Sequence, residues 1–215
     1  MILLVSAAVV GLFSGWAASR VIAHETGRSI PIAIPVFTTA ALCIAAAWRF
    51  GLAWDLPVYV YFAMVSVPLT IIDLRTHRLP NPLTLSAYPL VLVGLVIPAV
   101  AWEAWSGLGR SIAGGVALLA FFLLLHVINP SGMGLGDVKL SAPMGALLAW
   151  LSWPALLAGA FVGFVLAALV GVTLLTMRRA GPKSAIPFGP FMLAGAWVAI
   201  LASSADGIAP GLIPS

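Results

Sequence analysis

Charged residues are scarce in this sequence, which has ten Lys and Arg and six Asp and Glu among 215 residues. Hydrophobic residues make up 62% of the chain, and the mean hydropathy is +1.15. A water-soluble globule of this length needs far more polar surface than that. The composition therefore excludes the soluble globular class and predicts an integral membrane protein.

Cysteine is nearly absent as well. The single cysteine, Cys43, lies within an apolar run, which excludes an internal disulfide and a cysteine-based zinc cluster and predicts a small buried side chain. We expect neither a bound metal ion nor another cofactor. The first apolar run, residues 1–19, has no Lys or Arg ahead of it, so we expect it to remain as the first helix and not to be a cleaved signal peptide.

Long apolar runs occupy most of the chain. A membrane-spanning helix needs about 20 apolar residues, and on that rule the chain is an all-α, polytopic membrane helical bundle of about eight transmembrane helices, with six as the lower bound. The connections are short, so we expect one membrane-embedded domain over residues 1–215. The predicted helices are residues 1–19, 33–48, 56–73, 84–102, 111–128, 137–151, 154–176 and 187–204.

The apolar run at residues 140–177 is too long for one membrane crossing. At 1.5 Å per residue it would measure about 55 Å, nearly twice the hydrocarbon thickness. Pro154 is the natural point of division, because a proline in the first turn of a helix costs no hydrogen bond. The helix before it is then short, which places Asp137 toward the membrane edge, and the sequence leaves open whether one half is re-entrant.

Lys and Arg are distributed unevenly over the predicted loops. Their location between apolar runs explains the net charge of +4 by membrane topology, so we expect the lipid bilayer and not nucleic acid as a partner. With the amino terminus outside, Arg49 and Arg110 fall outside, and the remaining basic residues fall inside: Arg20, Arg28, Arg75, Arg78, Lys139, Arg178, Arg179 and Lys183. This bias predicts that the loops after the third helix and before the sixth face the cytoplasm.

Two aspartates lie where predicted helices meet those two loops, Asp73 at the end of the third helix and Asp137 at the start of the sixth. A carboxylate at that depth is costly, so a functional role is the default expectation. Two carboxylates in one site cannot both ionise easily, so one holds a proton while the other activates water, which hydrolyses amides without a metal. The other four acidic residues are expected to be solvated: Glu25, Asp55, Glu103 and Asp206.

The residues near the two aspartates affect backbone freedom: a proline near the first restricts it, and glycines before the second increase it. Pro80 and Asn81 follow the first aspartate, and residues 132–139 read Gly-Met-Gly-Leu-Gly-Asp-Val-Lys around the second. Gly134 and Gly136 let the backbone approach an extended substrate closely. These neighbours favour a functional pair of aspartates over two unrelated helix-end charges.

Helix dipoles distinguish the two aspartates. Asp73 ends a helix, where the negative end of the dipole disfavours a charged carboxylate, whereas Asp137 begins one and has Lys139 nearby. We hypothesise that Asp137 is the ionised base and Asp73 holds the proton. His77 is better explained as an exposed loop residue than as a group that tunes the pair, and His126 as a satisfied packing residue.

Three motifs together resemble those of the type IV prepilin peptidase family, which consists of intramembrane aspartic proteases with a GxGD signature. They are Asp73 with Pro80-Asn81, residues 134–140 (Gly-Leu-Gly-Asp-Val-Lys-Leu) and residues 186–191 (Ile-Pro-Phe-Gly-Pro-Phe). The resemblance is strongest over residues 70–195. The motifs follow one another in the family's order and lie at the matching helix ends.

The resemblance implies that the chain cleaves the short basic leader of prepilin or pseudopilin precursors at the cytoplasmic face of a prokaryotic cytoplasmic membrane. It implies that Asp73 and Asp137 are the catalytic pair and that Gly134, Gly136 and Lys139 form the active-site loop. The residues that could line the substrate are Pro80, Asn81, Pro187, Phe188, Gly189 and Pro190. For the last four, a proline that simply starts a helix is an equally good explanation.

The sequence departs from the larger family members after the first helix. Those members carry a cytoplasmic domain there with paired CxxC motifs, which accompanies N-methylation, whereas about a dozen loop residues without cysteine follow the first helix here. We therefore expect a peptidase-only form, like those associated with small Flp-type pili. The sequence indicates no oligomeric state.

Two alternatives to a peptidase remain. Paired membrane aspartates also serve proton relays, so a small proton- or ion-coupled transporter is the main rival. Transporters usually place their coupling sites near the membrane midplane, however, and both aspartates are predicted at one face. The second rival is an inactive structural paralogue, against which the intact pair and the glycine signature argue.

Overall fold

The computed structural model describes residues 1–130, 132–177 and 187–203, and over these ranges the regular elements are all helices. The all-α prediction is confirmed. Some residues singled out from the sequence lie outside the described residues. They are the basic Arg178, Arg179 and Lys183, the acidic Asp206, and Ile186, the first residue of the third motif. The helices are α1 (Ile2–Thr26), α2 (Ala33–Phe50), α3 (Leu56–Thr76), α4 (Asn81–Ala101), α5 (Trp105–Ile128), α6 (Leu135–Leu151), α7 (Trp153–Thr176) and α8 (Gly189–Ala202).

Six of the described helices, α1 to α5 and α7, are long and apolar enough to cross a membrane. The apolar α8 is shorter, with 14 residues, and α6 has 17. A helix satisfies its own backbone hydrogen bonds in lipid, and the described helices pack against one another. The prediction of a polytopic helical bundle is confirmed.

The division of the long apolar run occurs where the proline predicted it. α6 ends at Leu151 and α7 begins at Trp153, with Pro154 in its first turn. The hydroxyl of Ser152, between the two helices, accepts a hydrogen bond from the Ala155 N–H at 3.1 Å. This side-chain cap satisfies one of the free amides at the start of α7.

Small residues let the helices approach one another closely. Gly159 and Gly163 of α7 are buried, and a Cβ at Gly163 would lie 3.2 Å from the Met192 Cα of α8. Both glycines therefore lie where α7 packs closely on its neighbours. The most extensive backbone packing among the described helices is that of α5 with α6, α1 with α2 and α7 with α8.

α6 lies at the centre of the bundle. Thirteen of its 17 residues are buried, whereas four of the 24 residues of α7 are. Its neighbours are α4, α5, α7 and α8. The helix that carries Asp137 in its first turn is therefore enclosed by protein along almost its whole length.

Asp55 corrects one prediction from the sequence. It was expected to be solvated, but its side chain is fully buried, and its Oδ2 accepts a hydrogen bond of 3.2 Å from Trp150 Nε1 of α6. The prediction is wrong because the partner lies far along the chain and encloses the carboxylate from another helix. Glu25 and Glu103 are exposed as expected, although Glu25 lies in the last turn of α1.

Burial also changes the acidity of Asp55, which lies just before α3. It raises the pKa of this carboxyl from 3.8 to about 6, against the opposing effects of the Trp150 hydrogen bond and the positive charge of Arg49. The folded state therefore holds the proton more tightly than the unfolded chain does. The stabilisation from that proton is complete below pH 4 and is lost as the pH rises through 6.

We accordingly expect Asp55→Asn, which cannot titrate, to gain stability relative to the wild type as the pH rises from 4.5 to 7.5. A pKa difference of about two units corresponds to about 3 kcal/mol of unfolding free energy. Thermal unfolding of both proteins in detergent across this range would measure the difference. Parallel pH curves would contradict the prediction, and Glu103→Gln, at an exposed position, is the control that should remain parallel to the wild type.

Candidate active site

The two predicted aspartates come together where α3 ends and α6 begins. Asp73 lies in the last turn of α3 and Asp137 in the first turn of α6, and their side chains are 5% and 7% exposed. A third element completes the pair, because the Gly189 N–H at the start of α8 donates a hydrogen bond of 3.1 Å to Asp73 Oδ2. Three helix ends therefore meet at the two carboxylates.

Gly189 faces both carboxylates at once. A Cβ at this position would lie 2.8 Å from Asp73 Oδ2 and 3.4 Å from Asp137 Oδ1. Both oxygens are therefore within 3.4 Å of one point. The absence of a side chain at Gly189 leaves that point open, and an added methyl group would occupy the space between the two acids.

The environment of Asp137 leaves one of its oxygens available. Its backbone N–H bonds to the Gly134 carbonyl at 3.1 Å, which forms the first turn of α6. Its Oδ1 is buried and has no hydrogen-bond partner within the described part of the chain. A buried carboxyl oxygen is costly without a donor, so this atom can take a further proton or a ligand.

The two glycines of the GxGD segment have steric roles close to the pair. A Cβ at Gly136 would lie 2.8 Å from Leu79 Cβ, in the segment that joins α3 to α4. A Cβ at Gly134 would lie 3.2 Å from Asp137 Oδ2. Gly136 thus lets the start of α6 pack against the residues that follow Asp73.

Lys139 is held by α4 and not by an aspartate. Its Nζ donates a hydrogen bond of 2.9 Å to Asn81 Oδ1, and no ion pair joins it to Asp137 among the described residues. Its backbone carbonyl accepts from the Tyr88 hydroxyl at 2.8 Å. The structure therefore shows no direct contact through which Lys139 would stabilise a negative charge on Asp137 in the described residues.

Tyr88 was not found from the sequence, yet it compensates for a proline. Pro143 lies inside α6 and has no N–H, so the Lys139 carbonyl, four residues earlier, loses its usual helical donor. The hydroxyl of Tyr88 supplies a donor to that carbonyl. α4 thus satisfies the turn of α6 that follows Asp137.

We expect Tyr88→Phe to lower the unfolding free energy by about 1 kcal/mol, because it leaves the Lys139 carbonyl without that donor. In a Pro143→Ala background, where the helical N–H is restored, the same substitution should cost clearly less. Thermal or denaturant unfolding of the four proteins forms a double-mutant cycle. Equal costs in the two backgrounds would show that the proline and the tyrosine are not linked.

The two predicted loops line one cavity of about 280 Å³. Of the residues predicted to line the substrate, Asn81 lies in this cavity, and Gly189 contacts the carboxylates from α8. Pro80 precedes α4, Pro190 lines a separate apolar groove, and Phe188 packs against Phe164 with ring centroids 4.9 Å apart. The cavity residues are Asp73, His77, Arg78, Leu79, Asn81, Gly134, Leu135, Gly136, Asp137 and Lys139.

The two histidines lie as the sequence indicates. His77 is exposed, follows α3 with a positive φ of 53°, and lines the edge of the cavity. His126 is hydrogen bonded through Nδ1 to the Met133 carbonyl at 2.7 Å, so its prediction as a satisfied residue is confirmed. Cys43 is likewise buried, as predicted.

Comparison with known proteins places this site in a family. Residues 59–176 match the type IV leader peptidase family. The chain belongs to this family. The matched range includes both aspartates and the GxGD segment, so the resemblance is confirmed, although the match ends before residues 186–191. Gly189 lies outside the matched range, so its place at the site depends on its position in the third motif and on its proximity to both aspartates.

Three relatives illustrate the extent of the similarity, each named a prepilin leader peptidase/N-methyltransferase. The protein from Xanthomonas campestris pv. campestris is 32% identical over 192 residues, which is 87% of this chain and 64% of the relative. Those from Stutzerimonas stutzeri and Pseudomonas aeruginosa are 32% and 31% identical over 72% and 76% of the chain. The chain spans 53% to 64% of the length of these leader peptidase relatives, and no solved structure matches it.

Proposed function

We propose that this protein is a prepilin leader peptidase, an intramembrane aspartic endopeptidase that cleaves the basic leader from prepilin or pseudopilin precursors. We further propose that it is embedded in a prokaryotic cytoplasmic membrane as one domain, with its site facing the cytoplasm. The observation that carries the proposal is the meeting of Asp73 and Asp137 beside Gly189, in a cavity between helix ends. Membership of the leader peptidase family supports the same chemistry.

The contacts of the pair suggest how the two acids divide the work. The Gly189 N–H donates to Asp73, which stabilises a negative charge there, whereas Asp137 Oδ1 has no donor among the described residues. We therefore assign the base to Asp73 and the proton to Asp137, the reverse of the assignment that helix dipoles alone favour. The pair shares one proton, so the assignment describes the starting state of a coupled unit.

Amide hydrolysis then follows from proton transfers within the pair. Asp73 takes a proton from a water molecule as its oxygen adds to the scissile carbonyl carbon, and Asp137 gives its proton to the carbonyl oxygen. The tetrahedral intermediate collapses when the C–N bond breaks: Asp73 returns its proton to the leaving nitrogen, and Asp137 takes back a proton from one hydroxyl of the intermediate as the new carboxyl group forms. The products are the leader with a new carboxyl terminus and the pilin with a new amino terminus.

We propose that this form lacks the N-methyltransferase activity named for its relatives. The resemblance implies that the corresponding domain of the larger members follows the first helix. Here only residues 27–32 join α1 to α2, and they contain no cysteine. There is no room in that connection for a folded domain with paired CxxC motifs.

Cleavage of prepilin-like precursors by the purified protein in liposomes tests the proposal. We expect one cut, between the basic leader and the hydrophobic segment, that mass spectrometry of both products would locate and that EDTA would not reduce. The family resemblance implies a cut after a glycine that precedes the hydrophobic segment, so a precursor with a bulky residue in place of that glycine is the matched control and should remain uncut. Failure to cut any of a panel of precursors, or loss of cleavage in EDTA, would refute the proposal, and proton flux would then be measured to test a transporter.

A further inference from the structure

The two helices that carry the aspartates barely touch each other along their backbones. α3 packs on α1, α2, α8 and α4, and α6 packs on α5, α4, α7 and α8, whereas close backbone contacts between α3 and α6 are almost lacking in the described residues. The aspartates nevertheless lie within reach of one point. The spacing of α3 and α6 therefore depends on their shared neighbours α4 and α8 and on side chains that join the two helices directly.

Asp55 joins the two helices at the end opposite the aspartates. An aspartate at a helix N-cap usually accepts a hydrogen bond from its own first turn, but the Asp55 side chain makes no such cap on α3. It turns to α6 and accepts from Trp150 Nε1 at 3.2 Å, fully buried. Its hydrogen bond therefore serves the contact between helices and not the start of its own helix.

Tyr59 forms a second link one turn further along α3. It is fully buried, and its hydroxyl donates to the Leu147 carbonyl of α6 at 2.9 Å. Its ring stacks on Phe50 of α2, with centroids 4.0 Å apart and an angle of 13° between the planes. A ring held in this way has little freedom, so the hydroxyl fixes the position of α6 relative to α3.

The end of α6 that these residues contact is itself anchored. Arg110 of α5 donates from Nε to the Ala149 carbonyl and from a terminal nitrogen to the Trp150 carbonyl, both at 2.6 Å. A cation at these carbonyls also matches the negative end of the helix dipole. Asp55 and Tyr59 thus attach α3 to a fixed part of the bundle.

We propose that Asp55 and Tyr59 are positioning residues that set the separation of Asp73 and Asp137 from the far ends of α3 and α6. The inference rests on the proposed peptidase function. Asp137 lies about 20 Å along α6 from Trp150, so a tilt of about 3° there would move its Cα by about 1 Å. A misplacement of that size can cost about a hundredfold in rate.

Kinetic comparison of two tyrosine variants tests the proposal. Tyr59→Phe removes the hydroxyl that bonds α6, and Tyr61→Phe is the matched control, because its hydroxyl contacts Ser86 of α4 at 3.5 Å. We expect Tyr59→Phe to lower kcat at least about tenfold with KM little changed, and Tyr61→Phe to change kcat less than about threefold. Equal, small effects of the two substitutions would overturn the proposal.

Asp55 provides an independent pair of variants. Asp55→Asn keeps an oxygen that can accept from Trp150 and should retain most of kcat, whereas Asp55→Leu has none and should lose it at least about tenfold. The width of the pH profile of kcat should also change in Asp55→Leu, because the coupling of two acids depends on their distance. If Asp55→Leu only destabilised the protein, kcat would fall at every pH while the width of its pH profile stayed the same. That result would overturn the positioning role of Asp55.

A distance measurement separates failure of this inference from failure of the proposed function. Spin labels at Arg75→Cys of α3 and Leu135→Cys of α6, both at exposed positions, in a Cys43→Ala background would report the spacing of the two helix ends. We expect a shifted or broader distance distribution in Asp55→Leu and in Tyr59→Phe, whether or not the protein cleaves a precursor. Unchanged distributions would overturn the inference even if the wild type is an active peptidase.

Discussion

Asp73→Asn and Asp137→Asn are each expected to reduce cleavage of a prepilin precursor by at least about a thousandfold. Asparagine keeps the size of the side chain but can neither accept nor give up the proton that the pair exchanges with water and substrate. Both acids face the same open point beside Gly189. Each carries a different proton transfer in the proposed mechanism, so neither can replace the other. Because the two act as a unit, the double variant should be little worse than either single one.

Single-turnover cleavage in liposomes, together with precursor binding, would measure these losses. Binding should survive in both variants, with a different pH dependence in each because different acids remain. Glu103→Gln, which changes an exposed carboxylate, should cleave at the wild-type rate. An asparagine variant that keeps more than a tenth of the wild-type rate would remove that aspartate from the proposed mechanism.

Gly189→Ala should be the most damaging change outside the aspartates, with a loss of about a hundredfold in kcat. The new Cβ would lie 2.8 Å from Asp73 Oδ2, closer than van der Waals contact allows, and 3.4 Å from Asp137 Oδ1. It would push the carboxylates apart and fill the space between them. A displacement of about 1 Å at reacting groups is enough for a loss of this size.

Two other glycines serve as controls for this substitution. Gly109→Ala has nothing within 4 Å of the new methyl group and should leave the rate unchanged. Gly163→Ala, whose Cβ would lie 3.2 Å from Met192 Cα, should lower thermal stability with a smaller effect on kcat. If Gly189→Ala behaves like Gly163→Ala, the start of α8 contributes packing and not the geometry of the pair.

The helices could be predicted from the sequence because each apolar run has to form one in lipid. Pro154 marked the division of the longest run, since proline is tolerated in a first turn and not in the middle of a helix. The pairing of Asp73 and Asp137 followed from their positions at helix ends on one predicted face. Local composition and the cost of a membrane carboxylate were sufficient for these conclusions.

The contacts that hold the site together could not be predicted in the same way. Asp55 accepts from a tryptophan 95 positions away, and Tyr88 bonds a carbonyl 51 positions away. Such pairs depend on how helices rotate and cross, which local patterns do not encode. A proline inside a helix, such as Pro143, is a signal that one carbonyl lacks its helical donor, but it does not identify Tyr88 as the replacement.

The burial of α6 has a consequence for biogenesis. With 17 residues it measures about 26 Å, shorter than a hydrocarbon core of about 30 Å, and it carries Asp137 near its start. Such a helix inserts poorly into the membrane by itself, because lipid would then surround residues that other helices cover in the finished bundle. We expect α6 to enter the membrane together with α5 and α7, so that assembly of the aspartate pair is a late event in synthesis of the chain.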